Sequence, residues 1–372
     1  MLACKMCPSS SMDNCSPSRE FEKLPFYSAH FMDPVVWELF IRRVAECHGF
    51  GCQRILPGLP GTYPTFIVEH SQSAKQTPAA IVVKFFGPLF EGTTSFQMER
   101  AMGHFTTQHN LNIHTPAILA EGRLSADWCY LVFEHIRGVS IGQVHHELSL
   151  DALKGVAVQM GKFMNELHTL TATCEPDFPL NTQVKSWDGY ADFLENQRAA
   201  CLDHHRNWQD IPSQLIHQLP GFILPLEQLI DFSSPPHLVH ADLTADHLLG
   251  RLIATPPISA MKHRAGNLRG KITLEQPETG WENLAVIDWG DCRVGNILYE
   301  LVALHLDMFR ADKRLLHVCM QAYSLPDYFK ENFARKALST VLLHQFPMPA
   351  HVYAPYQHAH SLDEVAEGLF GI

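Results

Sequence analysis

The chain has 372 residues, 46% of them hydrophobic and 18% charged, which is too long and too apolar for a disordered tail or a disulfide-stapled miniprotein. Two lobes are expected, because one core seldom grows past about 250–300 residues. The net charge of −11, from 28 basic and 39 acidic residues, argues against a protein that coats nucleic acid or anionic membrane.

Nothing in the chain approaches an uninterrupted apolar run of about 18 residues, and the first twenty residues carry Lys5, Asp13, Arg19 and several serines where a signal peptide would be apolar. The expectation is a soluble, cytoplasmic protein with neither a membrane nor a nucleic-acid partner. Its ten cysteines are scattered, as suits reduced thiols. Cys4 and Cys7 form a CxxC, but no second pair with zinc spacing follows, so they read as free thiols. The pairs His145/His146 and His204/His205 read as solvated, since neighbours on a helix point in different directions.

Along the chain, residues 1–20 are Ser/Pro/Cys-rich and read as a flexible leader. Asp33-Pro34 opens a helical pattern running through Val35, Val36, Leu39, Phe40 and Val44. Short apolar runs at Thr65–Val68 and Ala80–Phe86, separated by turns and the polar stretch 70–78, predict a small antiparallel sheet. A helix over Phe96–Gln108 and a strand over Trp128–Phe133 follow. After Gly138 the texture becomes helical. Leu153, Val156, Ala157, Met160, Phe163, Met164 and Leu167 share one face of a core helix over Asp151–Leu170. Further helices are predicted at about 187–206, 212–230, 296–309, 311–322 and 327–345, with short strands at His237–Val239 and Leu284–Ile287. The chain is therefore expected to be α+β and bilobal: a β-rich lobe at 21–135 and a helical lobe at 136–372, with 251–281 an insertion predicted to protrude as a flexible hairpin near the active cleft.

Two carboxylates leave the ends of different strands. One lies in His240-Ala-Asp-Leu-Thr-Ala-Asp-His247, the other in Ile287-Asp288-Trp289-Gly290-Asp291. Phosphoryl transfer from a nucleotide needs such a pair converging on one point. Asp242 would accept the proton of the attacking hydroxyl and Asp288 would hold a divalent metal against the phosphates. His247 could complete the metal shell. In the first lobe Lys84 continues a buried strand and could reach phosphates, with Glu99 on the next helix as its partner. Pro57-Gly-Leu-Pro-Gly-Thr62 is either a phosphate-approaching loop, through Gly58 and Gly61, or a plain hairpin turn.

These motifs resemble the aminoglycoside phosphotransferase family, whose members share the protein-kinase-like fold, over about residues 50–325. The family's catalytic loop, roughly HGDLxxxN, is here HADLTADH, and its metal motif is here IDWGDCRVGNILYELVAL. HADLTADHLL is most similar to the hygromycin kinase-like branch. The resemblance implies Asp242 as catalytic base, Asp288 as metal-binding acid, Lys84 and Glu99 as an ion pair, and Glu134 to Ile136 as the linker whose backbone holds adenine. It implies ATP as cofactor with Mg²⁺, Mn²⁺ being the alternative that an imidazole at position 247 would tolerate better. His240 would be a packing and hydrogen-bonding hub, and Asn296 and Glu300 would tie the metal loop to the following helix.

Ala241 stands where the family usually has glycine, and His247 where it usually has asparagine. The expected activity is ATP-dependent phosphorylation of a hydroxyl on a small molecule. The alternative is a nucleotide-binding pseudokinase or interaction module in which His247 has weakened metal binding. Neither an HRD loop nor an APE segment is present, which disfavours a protein kinase. Residues 137–372 hold 27 acidic and 18 basic residues, against 12 and 10 in residues 1–136. That surplus suits a cationic acceptor or an ordinary solvated surface equally.

Overall fold

Asp33 caps a helix: its carboxylate accepts the backbone N–H of Val35 at 2.9 Å, and Pro34, which has no N–H, fits the first turn. In this computed structural model, which describes residues 19–70, 79–109, 111–170, 185–255 and 278–372 together with Pro17 and Leu180, that helix is α2, Pro34–Cys47. It follows a short helix, α1, Leu24–His30, which the sequence reading missed. Trp37, Ile41 and Val44 fall on one stripe of α2 and are fully buried. Cys4 and Cys7, nearly all of the leader, residues 71–78, and Arg264, Arg269 and Lys271 of the insertion lie outside the described residues.

The α2 stripe covers one face of a five-stranded antiparallel sheet, ordered β1-β2-β3-β5-β4. The strands are β1 (Arg54–Pro57), β2 (Thr65–Glu69), β3 (Ala80–Phe86), β4 (Ile118–Arg123) and β5 (Cys129–Glu134). The alternation of a strand decides what faces where. Ile81, Val83 and Phe85 pack with Trp37 and Phe66 on the α2 face, whereas Phe86, Leu131 and Phe96 cluster on the other. Lys84 has the parity of Phe86 and pairs across the strands with Leu131, so it faces away from α2. On its side lies α3, Gly92–His109. Gly103 lets the helix approach closely there: a Cβ would sit 2.6 Å from Cδ1 of Ile118, which would have to turn away. The two edge strands were given no bounds from sequence because neither carries a long apolar run: β1 has four residues and ends at a proline, which an edge tolerates, and β4 is interrupted by Glu121 and Gly122.

By contacts, residues 1–137 and 285–292 make one unit, and 138–284 with 293–372 a second. Residues 285–292 group with the first because Val286 donates its N–H to His114 O at 2.9 Å, and Ala285 bridges His114 in parallel.

In the second unit, α4 (Leu150–Leu170) packs against α7 (Lys313–Tyr323). The crossing is close enough that a Cβ on Gly161 would lie 2.4 Å from Cys319 O. The other long helices are α5 (Asp188–Trp208), α6 (Ile297–Leu306), α8 (Phe333–Leu342) and α9 (Leu362–Phe370). Two expected helices are broken. Over 212–230 the chain forms only short turns of helix, at Ser213–Gln218, Leu219–Phe222 and Leu226–Leu229, because Pro220 and Pro225 each remove a donor. Over 327–345, Asp327–Lys330 is separated from α8 by Asn332 in the left-handed region, φ 52°. His205 departs from its solvated expectation. It is buried, 2.7 Å from Asp210 Oδ1 and 3.0 Å from Leu342 O.

Two small sheets complete this unit. β7 (His237–Val239) pairs antiparallel with β10 (Arg293–Gly295). β6 (Val139–Ser140), β8 (Leu248–Thr255) and β9 (Glu278–Val286) form the other. The insertion is thus entered and left along neighbouring strands, and residues 256–277, where the hairpin was expected, lie outside the described residues. Among the described residues, no helix is long and apolar enough to cross a membrane.

Candidate active site

In the first unit, three of the residues singled out by sequence come together. The ammonium of Lys84, itself 6% exposed, donates to Glu99 Oε2 at 2.7 Å and to Asp288 Oδ1 at 2.8 Å. Its charge also lies over the rings of Tyr63 and Phe86, at 5.6 and 5.3 Å from their centroids. Burial would push the ammonium to release its proton, but Asp288 and Glu99 outweigh that and hold its pKa above the ordinary lysine value. Asp288 stands just past the end of β9 with φ 65° and ψ 66°, a left-handed backbone that aspartate tolerates better than most side chains. This turn aims the carboxylate at Lys84 instead of continuing the strand.

The loop between β1 and β2 closes as a hairpin. Gly58 donates its N–H to Thr65 O at 2.8 Å, and a Cβ on Gly58 would lie 2.9 Å from that oxygen, so the hairpin itself demands glycine here. Gly61 has no atom within 4 Å of where a Cβ would be, so its loop position is open. Glu134 is the last residue of β5. It donates its N–H to Ala117 O at 3.0 Å, and its carboxylate meets the imidazole of His114. Ile136 follows in irregular chain and is half-buried.

The second unit holds Asp242 and His247 on the turn after β7. Ala241 is fully buried with φ 68°, where a side-chain-bearing residue costs roughly 1–2 kcal/mol over glycine. That is the physical sense of the glycine usual at this position. Asp242 is one-fifth exposed, with its carbonyl accepting Thr244 N–H at 2.9 Å. His247 Nδ1 is 2.6 Å from the same carbonyl and 3.5 Å from Asp242 Oδ2. A carbonyl only accepts, so Nδ1 carries the proton and the lone pair of the ring sits on Nε2, the arrangement a metal-ligating histidine needs.

Two further carboxylates hold this turn. Asp307 Oδ1 accepts Ala245 N–H at 2.7 Å. Glu300, fully buried, accepts His240 N–H at 3.3 Å through one oxygen and His168 Nε2–H at 2.7 Å through the other. His168 Nδ1 in turn accepts from Tyr323 OH at 2.9 Å. Glu300 thus ties α6 to the chain leaving β7, not to the metal loop as expected. The reason is topological: α6 follows β10, and β10 pairs with β7. Asn296 caps α6, accepting Tyr299 N–H at 3.0 Å, and donates to Leu229 O at 2.8 Å. Neither Asp307 nor His168 stood out in the sequence, where each is a lone residue on a predicted helix.

Among the described residues, no cluster of three or more His, Cys, Asp or Glu is arranged to hold a metal ion. Mg²⁺ is ordinarily held by one or two carboxylates plus substrate phosphates and water. Asp288, in the first unit, offers a carboxylate of that kind, and His247, in the second, offers a nitrogen donor.

The family model of the phosphotransferase enzyme family matches residues 65–261. A lysine-specific demethylase of Arabidopsis thaliana, JMJ21, is 21% identical over 245 residues, covering 59% of this chain and 24% of that protein. The chain therefore matches only about a quarter of the length of that relative. Among solved structures, the GDP complex of wild-type aminoglycoside 2'-phosphotransferase-IIIa is similar with a TM-score of 0.58 and 16% identity, covering 91% of this chain and 96% of that one. The GDP and kanamycin complex of APH(2")-IIia follows with a TM-score of 0.55 and 15% identity, over 89% and 96% of the two chains. The fold is thus the α+β, protein-kinase-like one, with a β-rich first lobe and a helical second lobe.

Proposed function

We propose, for a chain that belongs to the phosphotransferase enzyme family, that it moves the terminal phosphoryl group of ATP to a hydroxyl of a small molecule, with Asp242 accepting the hydroxyl proton. Nucleotide-dependent phosphorylation of a small-molecule alcohol is the activity of the family, and the residue roles are our reading. The observation that carries them is the Lys84 ammonium held between Glu99 and Asp288. A buried cation fixed by two carboxylates is pre-set to meet phosphate oxygens, and Glu99 keeps it in place when Asp288 turns to other work.

In this reading Lys84 contacts the nucleotide phosphates, and the backbone of Glu134 to Ile136 holds adenine. The loop carrying Gly58 and Gly61 covers the phosphates, Gly61 from its open position. Asp288 and the Nε2 lone pair of His247 would hold Mg²⁺ or Mn²⁺, which supplies neutralisation of charge on the phosphates. Asp242 points the acceptor hydroxyl and removes its proton as the new P–O bond forms. His240 N–H, anchored on Glu300, and Ala245 N–H, anchored on Asp307, fix the turn on which Asp242 sits, so the base does not have to be ordered during the reaction. The pseudokinase alternative rests on His247, and a neutral ring whose Nδ1–H meets the Asp242 carbonyl supports the metal role by leaving Nε2 as a donor nitrogen.

The domain limits proposed from sequence, 21–135 and 136–372 with 251–281 inserted, belong to this reading, as do a cytoplasmic location and the affinity to the hygromycin kinase-like branch. The acceptor is a small molecule. A kanamycin complex among the neighbours named above is the ground on which a cationic acceptor would rest, and the lining of the cleft beside Asp242, described next, speaks against it. The test is thermal stabilisation by ATP with and without Mg²⁺, then ADP release with a panel of alcohols. No stabilisation by ATP, with or without metal, would refute the proposal.

A further inference from the structure

A cleft of about 150 Å³ opens beside Asp242, entirely within the second unit. Its walls are mostly apolar, from Val302, Leu306, Val341 and Phe346 among others, and it contains no Lys or Arg. Two carboxylates line it. Asp242 is the proposed base, and Asp307 already accepts Ala245 N–H. A polycationic sugar needs several carboxylates to replace the water around its ammonium groups, and drug-sized ligands occupy pockets of about 300–1,000 Å³. This cleft is smaller and greasier than that.

His344 also lines the cleft. Its ring is 6% exposed and stacks on Tyr299 with centroids 4.2 Å apart. Nδ1 accepts the Phe346 N–H at 3.3 Å, so the proton of the neutral ring sits on Nε2. That nitrogen is buried and has no hydrogen-bond partner among the described residues. Burial, helped by the charge of Arg293, pushes the pKa of the ring down to about 3, so it stays neutral. A buried donor left without a partner costs about 1–3 kcal/mol, and a ligand oxygen that accepts from it recovers that.

We propose that the acceptor is a compact alcohol with an apolar body, not an aminosugar. Its hydroxyl meets Asp242, its body lies along Val302, Leu306, Val341 and Phe346, and a second oxygen accepts from His344 Nε2–H. The inference rests on the phosphotransferase reading of Asp242 but concerns only what fills the cleft. His344 is a specificity-determining residue in it, and the surplus of acidic residues in the second half of the chain is then surface.

The probes are 2-phenoxyethanol, 3-phenylpropan-1-ol, which has the same shape without the ether oxygen, and kanamycin. Binding is read by saturation-transfer NMR without nucleotide, and transfer by ADP release. Wild type is expected to bind and phosphorylate 2-phenoxyethanol with a KM about five- to tenfold below that of 3-phenylpropan-1-ol, the worth of one hydrogen bond. His344→Phe is expected to erase that preference while keeping both alcohols as substrates. Ala303→Leu, which fills the cleft from α6, is expected to abolish NMR binding of both alcohols and leave stabilisation by ATP unchanged. Transfer to kanamycin with no binding of either alcohol overturns the inference, as does full binding in Ala303→Leu. Loss of ATP binding in the wild type itself would instead strike the parent reading.

Discussion

Lys84 Nζ lies 2.8 Å from Asp288 Oδ1, although 204 residues separate them in sequence. The same ammonium is 2.7 Å from Glu99, so the three charges form one unit in which Lys84 and Glu99 are buried and Asp288 half-buried. Lys84→Ala should abolish thermal stabilisation by ATP, and Glu99→Gln should reproduce part of that loss by letting the lysine move. Because both changes act on one interaction, the double variant should be no worse than Lys84→Ala alone, with a coupling of about 0.5–3 kcal/mol. Strictly additive losses in a double-mutant cycle would show that Glu99 does not position the lysine.

The role proposed for Asp242 differs from that of the Lys84 cluster, so its replacement separates chemistry from binding. Asp242→Asn keeps the side-chain shape and the carbonyl contact with His247 but removes the base. A fall in kcat of at least about 10²-fold is expected, with Tm and ATP affinity nearly unchanged, since general-base catalysis contributes about 10²–10⁴. Steady-state kinetics on the folded variant decide it, and retained turnover removes Asp242 from the base role.

His247 presents its Nε2 lone pair because Nδ1–H is spent on the Asp242 carbonyl. Imidazole suits softer cations better than it suits Mg²⁺. Activity with Mn²⁺ should therefore match or exceed activity with Mg²⁺, and His247→Asn should move the preference toward Mg²⁺. The check is a metal titration of ADP release at fixed ATP. An identical metal profile in wild type and variant places His247 outside the metal shell.

Acid should destabilise the fold before carboxylates titrate. Burial, and next the electrostatic influence of the neighbouring His168, brings His237 down to about 4, and burial brings His305 to the same value and His344 to about 3, from an ordinary 6.5. These rings are neutral in the folded chain and protonate more readily when it unfolds. Their contribution is present above pH 6.5 and is lost as pH falls from 6.5 toward 4, by at most about 1.4 kcal/mol per ring for each pH unit. His205 runs the other way: burial opposes its charge, but Asp210 and Cys201 raise it to about 10. Its contribution is present below pH 6.5 and is lost as pH rises toward 10. Melting followed by circular dichroism from pH 4.5 to 10 should give a dome. His237→Asn should flatten its acid arm, and a Tm constant between pH 6.5 and 4.5 would contradict the buried-neutral assignment.

Much of this protein is legible without coordinates, for reasons that are local. The Asp33-Pro34 start of α2 and the stripe from Leu153 to Leu167 are periodic and capped, so short-range physics decides them. The apolar run of β3 likewise marks a central strand and puts Lys84 on a known face once its parity is counted. HADLTADH and IDWGD are readable because each is a continuous run whose spacing lies within the chain itself. Other features depend on neighbours distant in sequence. The breaks at Pro220, Pro225 and Asn332 were missed where apolar periodicity outweighed single residues, and the edge strands β1 and β4 take their form from partners. Sequence could pair Lys84 with Glu99 but left unseen that Asp288 closes the unit, since that needs the left-handed turn after β9 and the bridge from Ala285 to His114. It sent Glu300 to the metal loop, whereas the pairing of β10 with β7 delivers its carboxylate to His240 N–H and His168. The charge count of the second half left the acceptor open, because counting acids cannot say which of them line a cleft. Only packing brought Asp307, His344 and an apolar wall beside Asp242.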